Sequence, residues 1–335
     1  MKTYKLLFFC ILTFNASFIL GQSDEIENLV KRGIVHHDKG EFSKAAEFYL
    51  KALDMDPNSS LAHYELGFTY LSAKEYELAE KHSKKVLDLN NGHLLAGYIA
   101  YGNSLDLQGK TEKAIKAYEK GIKDFDNYLL HYNHAMACLN SGKIDKAYES
   151  AINAISNNPS HASSHLILSK IMDEKNIRIK AMLPLYFFLM IEPNTERATI
   201  EYNTLRNYID HGVSKKGDKN INVVVPMNDD ADFGAAEMMI SLLKASENLE
   251  ENKGKSDLEL FAINNDKLFK ILGELKKENK GFWWDYYVTF FYSMANENLS
   301  TPFSYYISLS KGQEVTDWLD ENNEEIERFS GWVGG

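Results

Sequence analysis

Cysteine is almost missing from this sequence: among 335 residues there are only two, Cys10 and Cys138. Once a leader holding Cys10 is removed, Cys138 stands alone, which excludes an internal disulfide. Its neighbours Ala135, Met136, Ala137 and Leu139 lie in a helical stretch, so a buried and inert thiol is expected. Basic charge is also short, with 37 Lys and Arg against 48 Asp and Glu, a formal charge of −11. Loss of Lys2 and Lys5 with the leader takes this to −13. Nucleic acid and anionic membrane surfaces both require a basic patch, so neither is an expected partner. A membrane span of about 20 apolar residues is lacking as well. The apolar run Leu6 to Leu20 is interrupted by Thr13, Asn15 and Ser17, and with Lys2 and Lys5 ahead of it predicts a cleaved secretory signal over 1–21, cut at Gly21-Gln22. Phe8 and Phe9 occupy positions where small residues precede a lipidated cysteine, which argues against an anchor at Cys10. The mature chain is therefore expected to be exported, to a bacterial periplasm or cell surface, with no transmembrane span.

Catalytic motifs are absent too. There is no phosphate loop, dinucleotide fingerprint, nucleophile elbow or zinc-protease helix, and no cofactor, metal or catalytic residue is expected. NDDAD (228–232) fails as a calcium loop, because Phe233 stands where glycine belongs and Met239 where a bidentate acid belongs. Glu324, Glu325 and Glu327 read as a solvated helix face. The pairs His131/His134 and His161/His165 have ligand-like spacing, but no further ligands accompany them, so they read as packing.

What the chain does have is internal repetition. Gly33, Gly67, Gly102, Ala135 and Ser169 are each followed twelve residues later by Ala45, Ala79, Ala114, Ala147 and Ala181, and after twelve more by Pro57, Asn91, Asp126, Pro159 and Pro193. The period is 33 to 35 residues. It predicts units of two amphipathic helices that cross closely at small residues, with the second helix stopped by Pro, Asn or Asp. The units are 26–59, 60–94, 95–127, 128–161 and 162–195, within a repeat region 22–195. In the last, Pro184 is expected to interrupt the second helix.

These residues resemble the tetratricopeptide repeat family, most clearly in AHYELGFTYLSAKEYELAEKHSKKVLDLN (62–90) and KGEFSKAAEFYLKALDMDP (39–57). The family's early Trp is replaced by Leu29, His63, Tyr98, His131 and His165. The resemblance implies an all-α, right-handed helical solenoid whose first helices line a groove for a peptide or helix of another protein. Reading i, i+4 and i+7 along those helices, the groove face is expected to carry Val30, Ile34 and His37, then Tyr64, Phe68 and Leu71. Ile99, Asn103 and Asp106 follow, then Tyr132, Met136 and Leu139, then Leu166, Lys170 and Asp173. Such a face suits an amphipathic helix or an apolar strand. Equally, the chain's own C-terminal region could cover it, since large exposed apolar patches are rare on monomers. The family's basic carboxylate clamp is missing, its positions taken by Val30, Ile34, Glu65, Ala96 and Ala100.

After a capping helix over 196–212, an aromatic-rich helical domain is expected over 213–335. VSKKGDKNIN marks a linker or a boundary and INVVVP (221–226) one extended segment. Ser256 and Glu259 form a capping box that opens a helix to about residue 277. FWWDYYVTFFY (282–292) predicts a helix with Trp283, Tyr287, Phe290 and Met294 on one face and Trp284 and Phe291 beside it, mainly as core. An alternative reading makes Trp283, Trp284 and Tyr287 a docking platform for protein or glycan. The primary expectation is a non-catalytic adaptor of the cell envelope, and the alternative a glycan-binding envelope protein.

Overall fold

In each repeat the first helix ends on a turn that requires one left-handed residue. Gly40, Lys74, Gly109, Gly142 and Asn176 all have φ between 56° and 74°. In each case the next amide reaches back to a carbonyl five residues earlier: Glu41 to His36, Glu75 to Tyr70, Lys110 to Leu105, Lys143 to Cys138 and Ile177 to Met172. This is the Schellman closure of a helix C-terminus, which glycine and asparagine adopt most cheaply.

The computed structural model describes residues 23–216, 220–224, 232–276 and 279–335. The expected leader and residues 228–231 of the NDDAD stretch lie outside the described residues. The chain divides into two compact units, one up to Lys143 and one from Ile144 onward. The division falls inside the unit 128–161.

In the first unit, α1 (23–38) and α2 (Phe42–Met55) are followed by α3 (Ser60–Ser72), α4 (Tyr76–Leu89), α5 (Leu94–Leu107), α6 (Thr111–Asp124) and α7 (Tyr128–Asn140). Ser59 and Asn127 start α3 and α7 by accepting the amides of Ala62 and Leu129, as helix-capping oxygens do. Sequential helices pack on one another, and α3 also touches α5, which touches α7. The first helices thus form the inner layer. The helix crossings depend on missing side-chain volume: a Cβ at Gly33 would overlap the Tyr49 ring, and one at Gly102 the Tyr118 ring. Ala45, Ala79 and Ala114 are fully buried on the second helices.

Histidine takes over the place of the missing tryptophan by a specific bond. His63 Nε2 donates to the Pro57 carbonyl at 3.1 Å, which ties the start of a repeat to the end of the one before. Its Nδ1 faces His82 Nδ1 at 2.9 Å. Burial lowers both histidines, His82 to about 4, where the neighbouring His63 and Lys81 also contribute.

The second unit begins with α8 (Ile144–Asn157), α9 (Ala162–Glu174), α10 (Arg178–Ile191) and α11 (Glu196–Asp210). Contrary to expectation, Pro184 does not interrupt its helix: α10 runs through it. Proline removes one amide and disturbs one rung of the helix, but Met182 to Leu189 are all buried, so packing on every side holds the helix together. The linker reading also needs correction. Val213–Lys216 (β1) and Asn220–Val223 (β2) pair as an antiparallel hairpin with Val213 opposite Val223. Otherwise the described residues are mainly helical: α12 (Gly234–Ser246), α13 (Asp257–Leu275), α14 (Thr289–Asn296), α15 (Ser300–Tyr306), α16 (Gln313–Glu321) and α17 (Asn323–Gly334). Ser256 and Glu259 close their capping box at the start of α13.

A wider helical turn, Trp283–Val288, leads into α14. It is π-helical, with the Thr289 amide reaching Trp284 O five residues back. The wider turn shifts the faces from those a 3.6-residue period gives. Phe291 is fully buried and stacks on Phe269 at 4.6 Å, whereas Phe290 is only partly buried.

Candidate partner-binding face

The inner face of the first unit carries a row of stacked rings. His37 stacks on Phe68 at 4.9 Å, Phe68 on Tyr64 at 6.4 Å, and Tyr64 on His93 at 5.7 Å and 4°. Tyr64 and Phe68 are one turn apart on α3, and His37 and His93 come from the ends of the neighbouring first helices. His37 is held by a bond from its Nδ1 to Thr69 Oγ1 at 2.7 Å. Phe68 is 43% exposed, a large value for an aromatic residue packed among other rings.

The groove residues expected from periodicity fall into three groups. Phe68 is exposed. Ile34, Tyr64, Leu71, Ile99, Asn103, Tyr132, Met136 and Leu139 are partly buried. Asn103 accepts the Tyr118 hydroxyl at 2.6 Å, so its side chain is anchored from the second helix. Val30 is a correction, being buried in the core cluster with Leu29, Ala45, Tyr49 and Leu53, and Leu166 of the fifth unit is another, at 8% exposure. The Val30 position shares a helix stripe with Ile26, Leu29 and Gly33, and that stripe faces α2.

Glu65, next to Tyr64, is the residue that apolar periodicity passes over. Its carboxylate is half-buried, and burial together with the nearby charge of Asp38 raises its pKa. Near it, the Tyr49 hydroxyl is fully buried, with the Thr69 side chain beside it. Burial, and the charges of Glu65 and Asp38, push that phenol up. Glu65 was visible in the sequence only as an acid at a position where a basic clamp residue would stand.

The histidine pairs engage ordinary partners. His131 Nε2 meets Asp126 Oδ1 at 2.8 Å, and His161 Nδ1 meets Ser164 Oγ at 2.7 Å. Cys138, buried, lies 3.5 Å from His134 Nε2. Among the described residues no three His, Cys, Asp or Glu side chains are grouped to hold a metal ion.

The second docking platform considered, Trp283, Trp284 and Tyr287, is corrected by burial. The three are 6%, 2% and 0% exposed. Trp283 Nε1 donates to the Tyr148 hydroxyl at 2.9 Å, and Trp284 stacks on Phe233 at 4.5 Å. Rings committed in this way offer no open surface to a sugar or a partner. Among the described residues no helix is long and apolar enough to cross a membrane.

The fold and the inner face are those of a helical-repeat protein. A family model described as TPR repeat matches residues 33–73, and one described as tetratricopeptide repeat matches 61–93 and 95–123. Over that region the chain is similar to tetratricopeptide repeats. It is similar to tetratricopeptide repeat protein 6 of Homo sapiens, 32% identical over 32% of this chain and 21% of that protein. It also resembles the tetratricopeptide repeat-containing protein trd-1 of Caenorhabditis elegans, 26% identical over 48% of this chain and 23% of that protein. The chain therefore spans about a fifth of these relatives' own length. Among solved structures, pilF of Pseudomonas aeruginosa aligns at 19% identity over 56% of this chain and 90% of that one, with a TM-score of 0.47. Proteins of this repeat family are generally protein-interaction modules.

Proposed function

We propose that this protein is a non-catalytic adaptor of the cell envelope, and that the inner face of its first unit binds an apolar helix or strand of a partner protein. The observation that carries the reading is the ring row on α3, the partly buried Tyr64 and the exposed Phe68, flanked by His37 and His93. An exposed, pre-stacked aromatic face gives a partner large apolar contact at small entropic cost, because the rings are already ordered. The partly buried Ile99, Tyr132, Met136 and Leu139 extend the same layer along α5 and α7. Export rests on the N-terminal apolar run alone.

The test is site-specific photocross-linking from position 68 in cells, with Tyr64→Ala and Phe68→Glu as competitors for function. A discrete adduct formed in the envelope fraction, and lost when Tyr64 is replaced while the helical spectrum is unchanged, supports the reading. If Phe68→Glu unfolds the protein, the face is core and the assignment fails. N-terminal sequencing of the protein from fractionated cells tests export, with Gln22 the expected first residue.

A further inference from the structure

Asn91 stands where Pro57 and Pro159 close other repeats, and it is the one asparagine of the sequence followed by glycine. The junction it makes is unlike the others of the first unit. Asn90, Gly92 and His93 have φ of 49°, 137° and 55°, whereas no residue of 56–59 or 125–127 has a positive φ. Asn91 and Gly92 are both exposed, and a Cβ placed on Gly92 would meet nothing within 4 Å. Ser60 Oγ donates to the Gly92 carbonyl at 2.9 Å and ties the loop to the start of α3. Among the described residues, however, neither the Asn91 side chain nor the Gly92 amide takes part in a hydrogen bond. At the far end of the loop His93, held left-handed at the start of α5, lays its ring on Tyr64 at 5.7 Å.

We propose that Asn91-Gly92 is a site of spontaneous covalent modification in the folded protein, where the side-chain amide is lost through a succinimide and the isoaspartate formed displaces His93 from Tyr64. Water is the only co-reactant. The Gly92 amide nitrogen loses its proton to solvent and attacks Asn91 Cγ; the N–Cγ bond forms, the Cγ–Nδ2 bond breaks, and the side-chain nitrogen leaves as ammonia. Glycine favours this attack, because no Cβ crowds its nitrogen and its backbone turns freely. Water then opens the ring. Opening at Cγ gives aspartate with the original main chain, whereas opening at the Asn91 main-chain carbonyl gives isoaspartate, in which the chain runs through the former side chain and gains a methylene.

Either product carries a carboxylate where the amide was, but only isoaspartate alters the backbone. The extra methylene enters just ahead of His93, in a stretch where Asn90 and His93 already hold conformations that L-residues seldom adopt. The placing of His93 on Tyr64 depends on those angles. The covalent change is independent of the groove reading above; its effect on a partner rests on that reading, because Tyr64 belongs to the proposed face.

The mature full chain is incubated in buffer at physiological temperature and digested with trypsin, which releases 86–110 as one peptide holding Asn90, Asn91 and Asn103. Tandem mass spectrometry should place the conversion of amide to acid at Asn91, with Asn90 and Asn103 unconverted over the same period, and isoaspartyl methyltransferase should label the same peptide. Asn91→Gln should abolish the labelling, since the ring to be closed is larger. As conversion proceeds, the ring-proton resonances of His93, assigned with His93→Gln, should shift towards their positions in Tyr64→Ala, where no ring current acts on them. A folded protein that converts about tenfold more slowly than the chain unfolded in urea would show that the loop protects Asn91, and the assignment fails. Labelled protein whose His93 resonances stay in place overturns the displacement. Photocross-linking from position 68, run separately, decides the groove reading whichever way these results fall.

Discussion

The Tyr287 hydroxyl donates to His165 Nδ1 at 2.6 Å, joining residues 122 positions apart. The opposite ring nitrogen, Nε2, donates to the Pro159 carbonyl at 2.8 Å. The two bonds use the neutral imidazole completely and fix its tautomer, while Phe187 stacks on its face at 5.0 Å. Through this histidine the aromatic turn is fastened to the last repeat.

Acid should therefore weaken the second unit. Burial pushes His165 down to about 4, so the folded protein resists a proton that the unfolded chain accepts near pH 6.5. Between those values the unfolded state binds more protons, and stability rises with pH across the window. Going from pH 7 to 4 should cost up to about 3 kcal/mol from this residue, at ~1.4 kcal/mol per unit of displaced pKa. Urea unfolding at several pH values, compared between the wild type and His165→Gln, isolates the contribution from those of His63 and His82. An acid dependence that is unchanged in the variant sinks the assignment.

The turn at Lys74 should be improvable. Of the five equivalent turn residues it is the one with a long side chain, and its φ is 63°. An L-residue with a Cβ pays roughly 1–2 kcal/mol in the left-handed region, and glycine escapes that at some cost in chain entropy. Lys74→Gly is expected to raise stability by about 0.5–1 kcal/mol, and Lys74→Ala to change it little. Gly142→Ala should destabilise by a similar amount. Chemical denaturation of the three variants decides it. A loss of stability in Lys74→Gly would mean that the Lys74 side chain contributes more than its backbone costs.

How far the architecture could be read depended on which rule each segment obeys. The repeat was legible because close helix crossing demands small residues, and these recur at a fixed spacing whatever their neighbours; Gly33 and Gly102 show why, each meeting a tyrosine ring. The left-handed turn series was equally available, with only Lys74 hiding it. By contrast, Trp283 to Val288 broke the assumption of 3.6 residues per turn, and no single residue marks a π-helical turn. Pro184 misled because a local rule about proline was outweighed by burial on all sides, a tertiary effect. The first hairpin strand, Val-Ser-Lys-Lys, has little strand propensity of its own and is specified by its pairing with β2. At the inner face, periodicity found Tyr64 and Phe68 but carried Val30 along with them, since one turn of helix spans both the groove stripe and the core stripe. Glu65 was missed for the opposite reason: a search for apolar faces passes over the polar residue that interrupts one.

The ion pair of Arg178 and Glu237 should be the most sensitive polar contact of the second unit. The two side chains are 6% and 1% exposed, and Arg178 Nε donates to Glu237 Oε2 at 2.8 Å. The guanidinium also donates to the carbonyls of Tyr208, His211 and Glu237 and to Ser241 Oγ, while Glu237 Oε1 accepts the Ile179 amide. One arginine thus ties the start of α10 to the end of α11 and to α12. Arg178→Met removes all these donors and leaves a buried carboxylate with a single backbone partner, so a loss of about 3–5 kcal/mol is expected. Glu237→Gln keeps the shape and one acceptor, and should cost less, about 1–3 kcal/mol. Combining Arg178→Met with Glu237→Met should recover part of the first loss, because no buried charge remains, but not all of it, because the carbonyls of Tyr208 and His211 stay without their donor. Added salt should change none of these differences much, since a pair excluded from water is poorly screened. Denaturant unfolding of the three variants at two ionic strengths measures each step. A double variant as damaged as Arg178→Met alone would show that the carbonyl contacts, and not the ion pair, hold the three helices together.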